Sequence, residues 1–245
     1  MARSPGQQKT YCVGARRAVP RSYWRNIVRN SRPEIHFYQL SRLVHAHVAR
    51  WQQLIRDVEA GKLGAFSYYL PAREGIRSLC AKGGRDSAKI ASDVSTRALR
   101  MRGPSAAKAN LAVFETFEAA FLPRISRYIR NFLRAELTGV EFEGLGLLGA
   151  PHLQVVDDKG NERFVVLHCS QWNEADLKAY LELLAFIVQR QHGAPASSLW
   201  CMDLKNGVDV KWRPSKRILE RCKNAARLYR RLVTGMASPL EGEER

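Results

Sequence analysis

"GAPHLQVVDDKGNERFVVLHCSQ" (residues 149–171) is the stretch on which the fold turns. Two apolar runs, HLQVVDD and RFVVLHCS, flank Asp157-Asp158-Lys159-Gly160-Asn161, a composition that joins antiparallel strands. His152 stands at one strand end and His168-Cys169-Ser170 at the other. An ordinary hairpin needs only solvated polar residues there. Imidazoles and a thiol can be metal ligands, a nucleophile with its base, or residues left in a site that has lost its chemistry.

The elements around the hairpin follow from periodicity. Upstream, GVEFEGLGLLG (139–149) reads as a further strand. Before it, residues 105–137 form a long helical stretch entered at Ser105, with Leu111, Phe114, Phe117, Ala120 and Phe121 on its apolar face. Pro123 is expected to kink or split that helix. Downstream, residues 173–193 form a helix with Leu177, Tyr180, Leu181, Leu184 and Val188 on one face and Gly193 as its stop. SSLWCMDLKNGVDVKW (197–212) is a second hairpin turning at Asn206-Gly207, and residues 215–233 form a last, basic amphipathic helix.

The N-terminal half lacks strand signals. Leu40, Leu43, Val44, His47, Trp51, Leu54, Ile55 and Val58 share one face of a helix expected over 34–60, which places His47 in a core. A shorter helix begins near Pro71. Gly83-Gly84 breaks it from the next, which stops at Gly103-Pro104. The chain is therefore read as α/β (α+β). A basic arm (1–33) precedes a helical N-terminal region (34–104) and an α/β core (105–236), and a disordered tail (237–245) follows. The core is a small mixed sheet flanked by helices.

Charge narrows the function. The chain carries 40 Lys+Arg against 23 Asp+Glu, a formal net charge of +17. An excess of that size favours a polyanionic partner, because each phosphate neutralised releases counterions. The arm supplies Arg16, Arg17, Arg21, Arg25 and Arg29 beside Tyr23 and Trp24, suited to phosphate contact with base stacking. Arg124, Arg127, Arg130 and Arg134 make a basic stripe, and Lys216, Arg217, Arg221, Lys223, Arg227, Arg230 and Arg231 cluster on the last helix. The arm reads equally as a segment that packs Tyr23 and Trp24 and leaves its arginines in solvent, and for the Arg124–Arg134 stripe a solvated face is the commoner case.

Five cysteines are widely spaced with no CxxC pair, which argues against a finger-type zinc site and for a reduced, cytoplasmic protein. No apolar run long enough for a bilayer or a signal peptide is visible, so no membrane partner is expected. His168 and Cys169 are adjacent on a strand and face opposite sides. His152 with either of them gives two zinc ligands where four are normal. A Cys169 nucleophile with His152 as base needs a lowered thiol pKa, which sequence cannot show.

The order helix, three-strand meander, helix, hairpin, helix over Ala107–Val233 resembles the core of the PD-(D/E)XK nuclease superfamily, especially its RecB-like branch. That resemblance implies an acid at the start of the second strand, and an acid and a lysine at the end of the third. Together they hold Mg²⁺ or Mn²⁺ and stabilise charge as metal-activated water attacks phosphate. Here His152 stands for the first acid, Leu167 for the second and Cys169 for the lysine. Tyr180 fits the tyrosine of the following helix, while Asp176 replaces its glutamine. Glu118 or Glu115 would be the first-helix glutamate.

The chain is thus expected to be a catalytically degenerate, nuclease-like protein that binds DNA or RNA and needs no cofactor. It would serve in a larger defence or mobile-element complex, such as a CRISPR-like one, with other protein subunits. An empty pocket is expected at His152 and Cys169. The alternatives are an active Mg²⁺- or Mn²⁺-dependent nuclease with relocated ligands such as Glu118 or Glu143, and a scaffold that binds protein.

Overall fold

The computed structural model describes residues 33–47, 51–53, 56, 68–126, 128, 138–156, 159–169 and 172–234. The arginines at 16, 17, 21, 25, 29, 127, 130 and 134, the turn residues Asp157 and Asp158, and the tail lie outside them. The described chain is mixed α/β, with helices first and strands after.

Strand β1 (Glu34–His36) leads directly into helix α1 (Phe37–Leu43). The helix expected from residue 34 therefore starts three residues later. Glu34–His36 is recruited as a strand because it pairs in parallel with β3 (Leu145–Gly149), a tertiary partner that no local propensity announces. Leu40 and Leu43 are buried as the spacing predicts, but α1 stops there and His47 is exposed rather than in the core.

Helices α2 (Leu70–Ala81), α3 (Ser87–Arg102) and α4 (Pro104–Thr116) follow. Gly103, with φ at 85°, turns the chain sharply between α3 and α4, and Pro104 rather than Ser105 begins α4. Asn110, fully buried on α4, accepts from the Ala72 backbone N–H at 3.0 Å and donates to the Tyr68 carbonyl at 2.8 Å. It thereby satisfies an orphan donor in the first turn of α2, which lacks a side-chain cap of its own. Helix α4 passes without a break into a π-helical turn (Phe117–Phe121), where Leu122 N–H reaches the Phe117 carbonyl, and then into α5 (Leu122–Ile125). The extra residue of the π turn lets Pro123 sit in the first turn of α5, where its missing N–H costs nothing.

GVEFEGLGLLG is not one strand but two, β2 (Thr138–Phe142) and β3, paired antiparallel; with β1 they form a sheet of order β1-β3-β2, separate from β4 and β5, so the expected three-strand meander in a single sheet is replaced by two small mixed sheets. Their two-residue turn, Glu143-Gly144, has both φ values positive, 52° and 78°, as a primed hairpin turn requires. Gly149 ends β3 with the Phe37 ring pressed so close that a Cβ would clash with it.

The second sheet has the order β4-β5-β6-β7: β4 (Leu153–Val156), β5 (Glu162–His168), β6 (Leu199–Asp203) and β7 (Val208–Asp209). β4 and β5 are antiparallel, as are β6 and β7. β5 and β6 are parallel, so helix α6 (Glu174–His192) carries the crossover between them. Helix α7 (Lys216–Val233) closes the fold, capped by Ser215, whose side chain accepts from Ile218 N–H.

Each face of the second sheet meets helices. Phe164, Val166 and Cys201 pack toward α1, α6 and α7. Val165, Leu167, Cys169 and Met202 pack toward α2, α3, α4 and the π turn. Strand β5 is buried on both sides, which is why its sequence is a continuous apolar run rather than an alternation. Each of its four fully buried residues, Phe164 to Leu167, contributes roughly 1.5–3 kcal/mol of burial.

Candidate nucleic-acid interface

The position of the expected metal site is filled, not empty. Cys169 and Leu167 are wholly buried and His152 is 6% exposed. Strand alternation aims Leu167 and Cys169 at the same side, toward α2. His152 lies beside them. Its backbone N–H donates to the Val165 carbonyl at 2.9 Å, and its Nδ1 accepts from Leu167 N–H at 3.0 Å.

The space is taken by two arginines of α2 that lie one turn apart. Arg77 Nε donates to the His152 carbonyl at 3.1 Å, and Arg73 reaches the Leu167 carbonyl at 3.5 Å. Both were invisible as site residues in the sequence. The only local sign was their four-residue spacing on a helix whose opposite face is apolar.

Burial, reinforced by the charges of Arg73, Arg77 and His168, holds the His152 pKa well below the usual histidine value. With Nδ1 accepting, the neutral ring carries its proton on Nε2. Burial pushes the Cys169 thiol upward, against the opposing charge and hydrogen bond of Arg73. Its Sγ lies 3.6 Å from the Leu167 carbonyl and donates to it. A protonated, fully covered thiol beside a neutral imidazole is not an activated nucleophile. A leucine, a neutral histidine and a protonated thiol flanked by two guanidinium groups do not fit Mg²⁺ or Mn²⁺, which need oxygen ligands.

His168 faces the other way, as alternation predicts. Its ring meets Trp172 edge-on at 6.0 Å, Trp172 meets Tyr180 at 5.0 Å, and Tyr180 packs on Phe37 at 4.7 Å. Tyr180 is thus a buried member of an aromatic ladder, its hydroxyl pKa raised by burial. Asp203 spends its carboxylate on its own turn, accepting from the backbone of Lys205 and Asn206 and from the Asn206 amide.

The carboxylates proposed as relocated ligands lie elsewhere. Glu143 sits in the β2–β3 turn and accepts from Arg227 of α7 at 2.8 Å. Glu118 lies on the π turn, half-buried, with no hydrogen bond or ion pair to His152, Leu167 or Cys169 among the described residues. Among the described residues no three His, Cys, Asp or Glu side chains gather closely enough to hold a metal ion. Cys80, Cys169, Cys201 and Cys222 are free and buried, and no described helix is long and apolar enough to cross a membrane.

The basic surface is built on α7. Cys222, Ala225, Ala226 and Tyr229 bury one stripe, which turns the charged residues outward. Seven basic side chains stand on this helix against the single acid Glu220. Lys223 pairs with Glu220, and Arg227 with Glu143. Lys216, Arg217, Arg221 and Arg231 are exposed and make no salt bridge among the described residues.

Arg124, the one described member of the predicted stripe, belongs to a different cluster. It forms a bidentate pair with Asp209 at 3.1 and 2.5 Å, and Trp200 Nε1 donates to the same carboxylate at 2.9 Å. Burial works to raise the Asp209 carboxyl, but these two donors outweigh it and hold it below its ordinary value. Comparison with protein-family models, with curated protein sequences and with solved structures finds no match to this chain.

Proposed function

We propose that this chain binds DNA or RNA through phosphate contacts, on a nuclease-like frame that does not cut. The observation that carries the reading is the outward face of α7, where Lys216, Arg217, Arg221 and Arg231 are exposed and, among the described residues, take no part in the ion pairs that hold Lys223 and Arg227. Exposed cations release counterions when they meet phosphate. The net charge of +17 points the same way.

The non-cutting half of the proposal is supported by the residues at the strand ends. The antiparallel β4–β5 pair, the α6 crossover and the parallel β6 are consistent with the later part of a PD-(D/E)XK-like order, whereas the first strand of the expected meander lies in the other sheet. Within that frame the positions due to carry acids and a lysine hold His152, Leu167 and Cys169, covered by Arg73 and Arg77. Membership of a larger complex with other subunits goes with the resemblance.

Fluorescence anisotropy with labelled DNA and RNA tests the reading. Affinity is expected to fall steeply with salt, the log–log slope growing by about 0.9 per phosphate engaged on duplex DNA. No binding to either nucleic acid at low salt would refute it. Cleavage of either one in the presence of Mn²⁺ would refute the non-cutting half.

A further inference from the structure

At the opposite end of β5 from His152 lies an open cleft of about 430 Å³, lined by Pro123, Arg124, Tyr128, Arg163, Leu199 and Trp200. Arg163 and Leu167 are four residues apart on the same side of the strand, so the two places are separated by roughly 13 Å. The cleft is therefore distinct from the position filled by Arg73 and Arg77. Its size falls within the roughly 300–1,000 Å³ typical of small-ligand sites.

The residues around it form a held arrangement. The Arg124 guanidinium lies over the Trp200 ring, 5.3 Å from its centroid, and 5.8 Å from that of Phe121. Asp209 grips it in bidentate fashion and also takes the indole N–H of Trp200. Tyr128 closes the cleft, its ring edge-on to Trp200 at 6.3 Å. The guanidinium plane is thus fixed by two rings and a carboxylate, while its side chain keeps 47% of its exposure. A planar cation fixed in this way is a ready stacking surface for a nucleobase. Asp209 cancels its charge, so among the described lining residues the cation left over is Arg163.

Half-buried Arg163 projects from β5 on the same sheet face as Trp200. It donates one N–H to the Ser197 carbonyl at 2.8 Å. Of the five N–H donors of a guanidinium, the others meet no acceptor among the described residues and can face an anion. The described lining thus offers a stacking plane, an aromatic wall and one unpaired cation.

We propose that this cleft receives a single nucleotide of a nucleic-acid strand, the base stacked on the Trp200–Arg124 pair and its phosphate on Arg163. The base must be unpaired to enter, so the cleft selects single strands. This rests on the nucleic-acid reading above but uses none of the residues of α7.

The test measures the full chain against a fluorescein-labelled single strand and a duplex of equal length. Trp200→Leu and Arg163→Gln are each expected to lower single-strand affinity about tenfold and to leave duplex affinity within about twofold. Circular dichroism checks that each variant folds. Because Arg163 lies at the rim, Arg163→Gln keeps the test alive if Trp200→Leu does not fold. In the unaltered chain, a strand carrying 5-iodouracil is expected to crosslink to the peptides bearing Tyr128 or Trp200. Unchanged single-strand affinity in both variants, or crosslinks only elsewhere, overturns the cleft while nucleic-acid binding stands. Equal loss for strand and duplex also overturns it. Competition by polyglutamate as effective as by the single strand overturns it in favour of an acidic protein partner. Absence of any nucleic-acid binding removes the wider reading as well.

Discussion

His152 is the residue where position and chemistry diverge. It stands where the sequence resemblance expects an acid, yet its ring serves as a backbone acceptor for Leu167. Because burial keeps it neutral, the unfolded chain gains a proton below about pH 6.5 that the folded chain refuses. Stability is therefore full above that pH and falls as the pH drops, by up to about 1.4 kcal/mol per pH unit. His36, also lowered by burial against the opposing charge of Glu34, adds with the same sign. His152→Asn keeps a side-chain acceptor but does not titrate. Its melting temperature is expected to decline less steeply than that of the unaltered chain between pH 7 and pH 5, and an identical slope would exclude His152 as the cause. The orientation of Leu167, His168 and Cys169 was legible in the sequence, because strand alternation is a local rule. Arg73 and Arg77 were not. They meet their carbonyl partners across 94 and 75 residues of chain, and nothing in a helix's own periodicity names a contact at that range.

Among the elements, α2 depends on a neighbour for its start. Asn110 of α4 joins the Ala72 N–H, the Tyr68 carbonyl and the Ala106 carbonyl in one buried cluster. Asn110→Ala leaves the Ala72 N–H and the Tyr68 carbonyl without this partner, so the urea midpoint is expected to report a loss of about 1–3 kcal/mol. A loss under about 0.5 kcal/mol, the size of an ordinary surface change, would show that the cluster does not support α2. The sequence read α6, α7 and both hairpins of the second sheet well, since their caps and turns carry local signals at Asn173, Gly193, Asn206-Gly207 and Ser215. It missed the β2–β3 turn, although Glu143-Gly144 between two apolar runs is a legible hairpin signal. It missed β1 for a different reason: the parallel partner Gly146–Leu148 lies more than a hundred residues away. Pro123 was expected to kink or split the helix; the helix is divided there by the π turn, which absorbs the lost hydrogen bond so that the helical path continues.

At the scale of the whole molecule the question is whether net charge alone attracts nucleic acid or whether a particular face meets it. The formal charge of +17 would draw a polyanion from any direction, with an attraction that salt screens. A docked face differs, because each cation in contact with phosphate changes the salt slope as well as the affinity. Arg217 and Arg221 are exposed one turn apart on α7. The double variant Arg217→Glu/Arg221→Glu is expected to weaken duplex binding and to reduce the magnitude of the log–log salt slope by about 1.8, two phosphate contacts' worth. Arg100→Glu/Lys108→Glu changes the net charge by the same amount on exposed positions of α3 and α4. If α7 is the face that docks, that control leaves the slope near its original value and lowers affinity only modestly at low salt. Equal losses of slope in the two double variants would mean that charge is read in bulk. The exposed cations of α7 would then have no privileged place in binding.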